Sequence, residues 1–253
     1  MATALRPVVE PSPTAPSWAA PAAAPPRAAV PLHPVRRRFL DRLPHGARVL
    51  DAGCGGCATQ RKLLAARPDL RFSGVDVLDM TAACPPGTDF HTLDFEHQPL
   101  PFADGVFDGI FFCHVLEHLD NRMNVLSEFA RVLKPGGHIY IEGPSLRSLF
   151  LPSLSWLPSR PAANAIGDDL SFYDNFTHVR PLSRRGLQMF LQMAGCDCLA
   201  SGPVRDRRRL WAQPFRLLAG ALLRRRRPVC VALWELVGWS VYAVGRKQGD
   251  SAC

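Results

Sequence analysis

The sequence predicts an α/β protein built on a doubly wound, mostly parallel sheet. Three observations carry that expectation. An apolar run at 47–50 leads into the turn Asp51-Ala52-Gly53-Cys54-Gly55-Gly56-Cys57 and then into the helix-like run Thr59–Leu64. Short apolar runs alternate with helix-periodic segments from residue 48 to residue 142, the pattern of strands joined by helical crossovers. The run VFDGIFFC at 106–113 is apolar on both faces, as a strand covered on both sides must be.

The elements follow in order. Residues 32–43 (LHPVRRRFLDRL) read as a short amphipathic helix entering the domain. Residues 48–51 form the first strand, 56–66 a helix, and 70–77 a second strand that ends at Asp76. A short third strand spans 89–94 and a fourth spans 106–113. The helix at 121–133 sets Met123, Leu126, Phe129 and Val132 at helical spacing. Lys134-Pro135-Gly136-Gly137 stops it and turns into a fifth strand at 138–142. Residues 143–180 hold four prolines and scattered aromatics with no period, the character of a lid or acceptor insert. A helix at 182–194 and a strand near 196–204 resume the alternation, 205–237 interrupt it, and 239–245 (WSVYAVG) alternate like a last strand.

Composition sets the domain plan. The chain has 253 residues, 47% of them hydrophobic, enough for one globular domain with additions. Residues 1–34 carry nine prolines and ten alanines and are expected to be a disordered tail, because they bury too little surface to offset chain entropy. The domain then covers 35–246, with a short C-terminal tail at 247–253. The tail has no unbroken apolar stretch after a basic start, so it does not read as a signal peptide. No apolar run approaches the length of a membrane span. The eight cysteines are expected to be reduced thiols in a cytoplasmic protein. Cys54-x-x-Cys57 has no second pair to complete a zinc site.

The glycine turn binds something. Glycines there allow positive φ and close approach of a ligand, and the helix beyond offers free N–H groups. Gly53-x-Gly55-x-x-Ala58 also fits a dinucleotide fingerprint. Asp51 argues against that ligand: a carboxylate at the strand end repels a pyrophosphate and attracts an ammonium or sulfonium. The plain alternative is a tight strand–helix turn with no ligand.

Four blocks together resemble a class I S-adenosyl-methionine-dependent methyltransferase of the type 11 kind: VLDAGCGG at 49–56, GVDV at 74–77, LPFADGVFDGIFFCHVLEHL at 100–119 and RVLKPGG at 131–137. The resemblance is close over 45–142 and loose beyond. It implies a Rossmann-like seven-stranded sheet with an antiparallel last strand, helices on both faces, and S-adenosyl-methionine as cofactor. It sets Asp51, Gly53 and Gly55 beside the methionine part, and Asp76 and Val77 at the ribose. Asp94 would receive the adenine amino group, Phe95 would pack on the adenine ring, and His114 would stand at the mouth of the site. Cys57 departs from the family, which often has a third glycine there.

Methyl transfer is an in-line displacement, and it needs alignment and in some cases a base for the acceptor proton. His114, His118 and His178 are the candidate bases. The segment 172–180 (FYDNFTHVR) is the candidate acceptor-facing element, through Tyr173, Asp174, His178 and Arg180. The expected acceptor is an oxygen or nitrogen of a small molecule or of a glycan or natural-product precursor. One alternative is a metal-assisted RNA 2′-O-methyltransferase, because His114-x-x-Glu117-His118 with a later His178 is similar to the metal-binding pattern of small-RNA methyltransferases. In that alternative Glu117, His118 and His178 bind the metal; the leading reading has none. A non-catalytic cofactor-binding scaffold is a further alternative.

The charge is local. Residues 205–227 contain nine arginines and one aspartate, so this stretch carries the whole formal excess of +8. Trp211, Phe215, Leu218 and Leu222 lie on one helical stripe, and Arg224–Arg227 follow. This pattern suits an anionic membrane surface, placing the chain peripherally on the inner membrane face. Nucleic acid is a lesser alternative, and a helix packed on the sheet is the plain one. The oligomeric state is not legible.

Overall fold

The structure is a computed structural model and describes residues 32–153 and 170–249. The expected disordered tail therefore lies almost wholly outside the described residues, as do 154–169 of the insert and the end of the C-terminal tail.

The chain order is α1 (Pro34–Leu40), β1 (Arg48–Ala52), α2 (Ala58–Ala66), β2 (Arg71–Asp76), β3 (Asp89–Thr92), β4 (Phe107–Cys113), α3 (Arg122–Val132), β5 (Leu133–Pro144), α4 (Arg184–Met193), β6 (Cys196–Pro203), α5 (Gln213–Leu222), α6 (Arg226–Val237) and β7 (Ser240–Lys247). The seven strands form one sheet in the order β3-β2-β1-β4-β5-β7-β6. β7 runs antiparallel to both of its neighbours, β5 and β6, while the β1 to β5 pairings are parallel. The strand order reverses between β1 and β4, and ligands of doubly wound sheets bind at the carboxyl ends of strands at such a reversal.

Two apolar layers sandwich the sheet. One holds Leu50, Ile110, Phe112, Phe129, Ile139 and Leu191. The other holds Phe39, Val49, Leu63, Phe72, Phe111 and Tyr140. Phe111 and Phe112 go to opposite layers because successive side chains on a strand point to opposite faces. That alternation explains why this run is apolar throughout.

Several boundaries differ from expectation. β5 begins at Leu133, directly after α3, instead of after a separate turn. Gly136 absorbs the bend at φ +77°, and the β4 register shifts between Phe107 and Gly109 to accommodate it. β3 stops at Thr92, short of Asp94. The interruption at 205–237 resolves into α5 and α6. The expectation of eight reduced cysteines is corrected: Cys57 and Cys84 are disulfide-bonded, with Cα atoms 5.2 Å apart. Cys57 lies after β1 and Cys84 after β2. These strands are parallel neighbours, so the loops leaving them meet.

Candidate active site

The cradle forms where β1 and β2 end. Asp51 pairs in register with Gly74, and Ala52 with Val75, so Asp76 lies one step past the end of β1. The chain turns back sharply: Gly53 N–H donates to the Val75 carbonyl at 2.8 Å. Gly53 and Gly55 sit at φ +69° and +49°, a region costly for any side chain. A Cβ at Gly53 would collide with the Val115 side chain, whereas one at Gly55 would meet nothing within 4 Å. The turn is packed on the Gly53 side and open on the Gly55 side.

Two carboxylates border this opening. Asp76 Oδ2 accepts from Gly55 N–H at 2.7 Å and Oδ1 from Leu78 N–H at 3.1 Å. Asp51 is 4% exposed and its Oδ2 has no hydrogen-bond partner. Burial first, then the charge of Asp76, pushes the Asp51 carboxyl up to about 7, against the pull of Arg36. A buried carboxylate oxygen without a partner favours a cation beside it. Val77, next to Asp76, is largely exposed and offers an apolar surface. A charged aminoacyl sulfonium group at Asp51, a ribose at Asp76 and an adenine beyond it match this donor set. The residues present therefore fit S-adenosyl-methionine.

His114 begins the next segment, just past β4. Its φ is +58°, an unusual conformation for a residue with a side chain and one found where surroundings enforce it. Its N–H donates to the Glu142 carbonyl at 2.8 Å. Its ring lies between two buried carboxylates, with Nδ1 3.4 Å from Glu117 and Nε2 3.3 Å from Glu142. Burial opposes the imidazolium, but Glu117 and Glu142 outweigh it and hold the pKa up at about 9. At neutral pH that value favours the imidazolium, a poorer base than a neutral ring.

Glu142 is itself held ionised. Burial works against its charge, yet Arg36 and His114 keep its pKa well below the usual carboxylate range. Arg36 of α1 donates to both oxygens, at 2.9 and 2.8 Å, and the Tyr140 hydroxyl donates to Oε2. Sequence reasoning missed Arg36, Glu142 and Trp239, whose ring centroid stands 5.8 Å from that of His114. The available signal was a single acid in the otherwise apolar run Ile139-Tyr140-Ile141-Glu142.

The acceptor segment docks on the turn after β4. Val179 N–H and Arg180 N–H both donate to the Glu117 carbonyl, at 2.8 and 3.3 Å. That docking brings the His178 and His118 rings to 4.8 Å between centroids. His118 Nδ1 lies 3.2 Å from the Thr177 carbonyl, and His178 Nδ1 lies 2.6 Å from the Phe172 carbonyl. A carbonyl only accepts, so these contacts suit rings that carry a proton on Nδ1; the Thr177 hydroxyl also lies 2.9 Å from His118 Nδ1. Burial, with His178 nearby, lowers the His118 pKa. Glu117 is fully buried, and neither of its oxygens has a hydrogen-bond partner. Glu117, His118 and His178 offer ligand atoms within 4.8 Å of one another.

Other expected site residues have different work. Phe95 is 4% exposed and packs edge-on against Phe112 in the core, so it is not open to an adenine ring. Asp94 binds Glu96 N–H and His97 within its own turn. Asp174 caps its turn by accepting from Leu170 N–H and Ser171 N–H, both at 3.0 Å, and this corrects its expected acceptor role. Tyr173 is 70% exposed, and Arg180 is exposed beside Arg122.

Comparison with known proteins agrees with this geometry. Residues 50–141 match the family model described as a methyltransferase domain. The chain is 32% identical over 104 residues to the O-methyltransferase rstn1 of Aspergillus nomiae, covering 38% of this chain and 46% of that protein. It is 26% identical to a ubiquinone biosynthesis O-methyltransferase of Burkholderia pseudomallei, covering 70% of this chain and 78% of the relative. The chain spans less than half the length of the curated relatives it matches first. In fold it matches a SAM-dependent methyltransferase of Archaeoglobus fulgidus with a TM-score of 0.58 at 21% identity, over 83% of this chain and 90% of that one. The family match and the strand order lead to one conclusion: residues 50–141 carry a methyltransferase domain of the kind that uses S-adenosyl-methionine, on a sheet shared with solved methyltransferases.

Proposed function

We propose that this chain transfers the methyl group of S-adenosyl-methionine to an oxygen or nitrogen of a small molecule or of a glycan or natural-product precursor. The observation that carries the reading is the pairing of the His118 and His178 rings, 4.8 Å apart, on segments that follow β4 and β5, with the Asp51 and Asp76 cradle at the ends of β1 and β2. Relatives named as O-methyltransferases support the acceptor class.

When bound, the cofactor supplies a methyl on a positively charged sulfur. The protein holds the charged end with Asp51 and accepts the ribose hydroxyls at Asp76, whose oxygens are already oriented by Gly55 N–H and Leu78 N–H. Positioning of this kind supplies much of the acceleration in a displacement. The acceptor loses its proton as the new bond to carbon forms, and Nε2 of His178 or His118 takes it. His114 serves as a fixed cation that keeps Glu117 and Glu142 in place.

A second reading adds a divalent cation, and a specific observation favours it. Nδ1 of each histidine lies against a backbone carbonyl, a contact of the kind that orients metal-ligating histidines. Glu117, 3.4 Å from His114, completes a donor set suited to Mn²⁺, Fe²⁺ or Zn²⁺. Untargeted detection of products labelled from isotopic S-adenosyl-methionine in a cell extract tests the first reading, and absence of any labelled product would sink it. Activity that persists after thorough chelation would sink the second.

A further inference from the structure

The hairpin α5–α6 exposes a surface that a water-facing helix has no use for. Trp211, Phe215, Leu218 and Leu222 are 74%, 68%, 59% and 75% exposed, and Leu223 adds 63%. The only residues α5 buries are Gln213 and Gly220. Gly220 explains the orientation. A Cβ there would lie 2.9 Å from Val229 Cγ2 and 3.1 Å from Val229 N, so α6 packs directly against the backbone of α5 on that side. The inner contacts are made by Leu217 with Val229, Cys230 and Leu233. The stripe is thus turned away from the fold, which removes the plain reading of a helix buried on the sheet. Contiguous exposed apolar surface of this kind marks an interaction site.

The charge around the stripe identifies what it meets. Arg207–Arg209 precede it, Arg216 lies on another face of α5 near Glu235, and Arg224–Arg227 follow it. Among the described residues, Arg209 is the one member of this group that pairs with a carboxylate, Asp206 at 3.4 Å. Apolar side chains rimmed by uncompensated arginines match the headgroups and acyl boundary of an anionic bilayer. A nucleic acid would leave the tryptophan, phenylalanine and leucine stripe uncovered. Among the described residues no helix is long and apolar enough to cross a membrane, so the contact is one of lying on the surface.

We propose that α5 with its flanking arginines is a docking face for an anionic lipid bilayer. The hairpin packs on Leu151 and Leu170, the described residues that flank the central part of the acceptor insert. The short turns next to them expose Phe150 (87%) and Tyr173 (70%). A bilayer docked on the hairpin therefore neighbours the acceptor side of the fold.

The test is co-sedimentation of the full chain with vesicles of phosphatidylglycerol and phosphatidylcholine, beside phosphatidylcholine alone. Binding to the anionic vesicles only, weakened by salt, is expected. Replacing Arg224 to Arg227 together by glutamine should weaken partitioning roughly a thousandfold, given the usual contribution of a basic residue at a lipid surface. The variant Trp211→Ser with Phe215→Ser and Leu218→Ser, its fold checked by circular dichroism, should lose the binding that survives salt. Wild-type protein left in the supernatant with anionic vesicles at low salt would overturn the proposal. So would tight binding to duplex RNA that the serine variant retains, or a dimer in sedimentation velocity that the serine variant dissolves without any vesicle binding. None of these readouts depends on methyl transfer.

Discussion

Asp51 and Asp76 end neighbouring parallel strands, yet only Asp76 is hydrogen-bonded by the turn between them. The fold commits one carboxylate to the backbone and leaves the other dry, buried and close to neutral. This asymmetry separates the two roles the site requires.

It also sets a pH dependence. The Asp51 carboxyl titrates near 7 in the folded chain, well above its ordinary value of 3.8. The folded state thus binds a proton that the unfolded state has released, and stability falls as pH rises from about 4 to 7. An ammonium, which S-adenosyl-homocysteine carries on its amino-acid end, prefers the ionised form. Affinity for S-adenosyl-homocysteine should therefore rise with pH through neutrality and then level off. Asp51→Asn should flatten that profile, weaken binding and raise the melting temperature of the ligand-free protein above pH 7. Calorimetric titration across neutral pH checks this, and a flat wild-type profile would contradict it.

Asp76→Ala should weaken S-adenosyl-homocysteine binding by about 1.5–3 kcal/mol, the size of a hydrogen bond to a charged group. Asp76 also holds Gly55 N–H, so Asp76→Asn, which keeps one acceptor, should fall between wild type and alanine. Equal affinity in all three proteins would remove Asp76 from the ribose site.

His178→Ala should lower turnover far more than it weakens cofactor binding, because His178 lies on the acceptor segment beside His118. Unchanged turnover would exclude it. A wild-type rate raised by Mn²⁺, with the response lost in the variant, would favour the cation reading over the simple base.

Arg36→Ala should destabilise the protein by about 3–5 kcal/mol, since it strands the buried Glu142 charge. Replacing Arg36 and Glu142 together should cost less than Arg36→Ala alone. Denaturant unfolding of both variants decides it. A double variant less stable than the single one would show that packing by the Arg36 side chain, and not the charge, is what matters.

Reduction of Cys57–Cys84 should lower the melting temperature by several degrees, because the bridge closes a loop of 27 residues and contributes on the order of 3 kcal/mol. Cys84→Ser should show the lower value with or without reductant. Identical melting curves for wild type in both conditions would show the bridge to be absent.

The parts of the fold legible in the sequence are those governed by local rules. Phe111 and Phe112 announce a strand covered on both faces, and Gly53 announces a turn too tight for a side chain. The Leu133 boundary was not legible, because Lys134-Pro135-Gly136-Gly137 reads as a turn until pairing of Leu133 with Phe107 stretches it. Phe95 and Asp94 were assigned by likeness, and their surroundings give them other work. The link between Arg36 and Glu142 joins residues 106 positions apart, and the Cys57–Cys84 bridge depends on which strands are neighbours. Such contacts are properties of topology, and no spacing in the chain encodes them.

β6 and β7 are antiparallel neighbours paired from Cys196↔Lys247 to Pro203↔Val241. Strands so arranged need no more than a tight turn between them. Here the whole α5–α6 hairpin occupies that junction, while the cradle is built at the far side of the sheet on β1 and β2. The register of the strands is closed at Pro203 and Val241 whatever lies between. The proposed docking face and the cofactor cradle thus lie in separate passages of one chain, joined where the hairpin packs on Leu151 and Leu170.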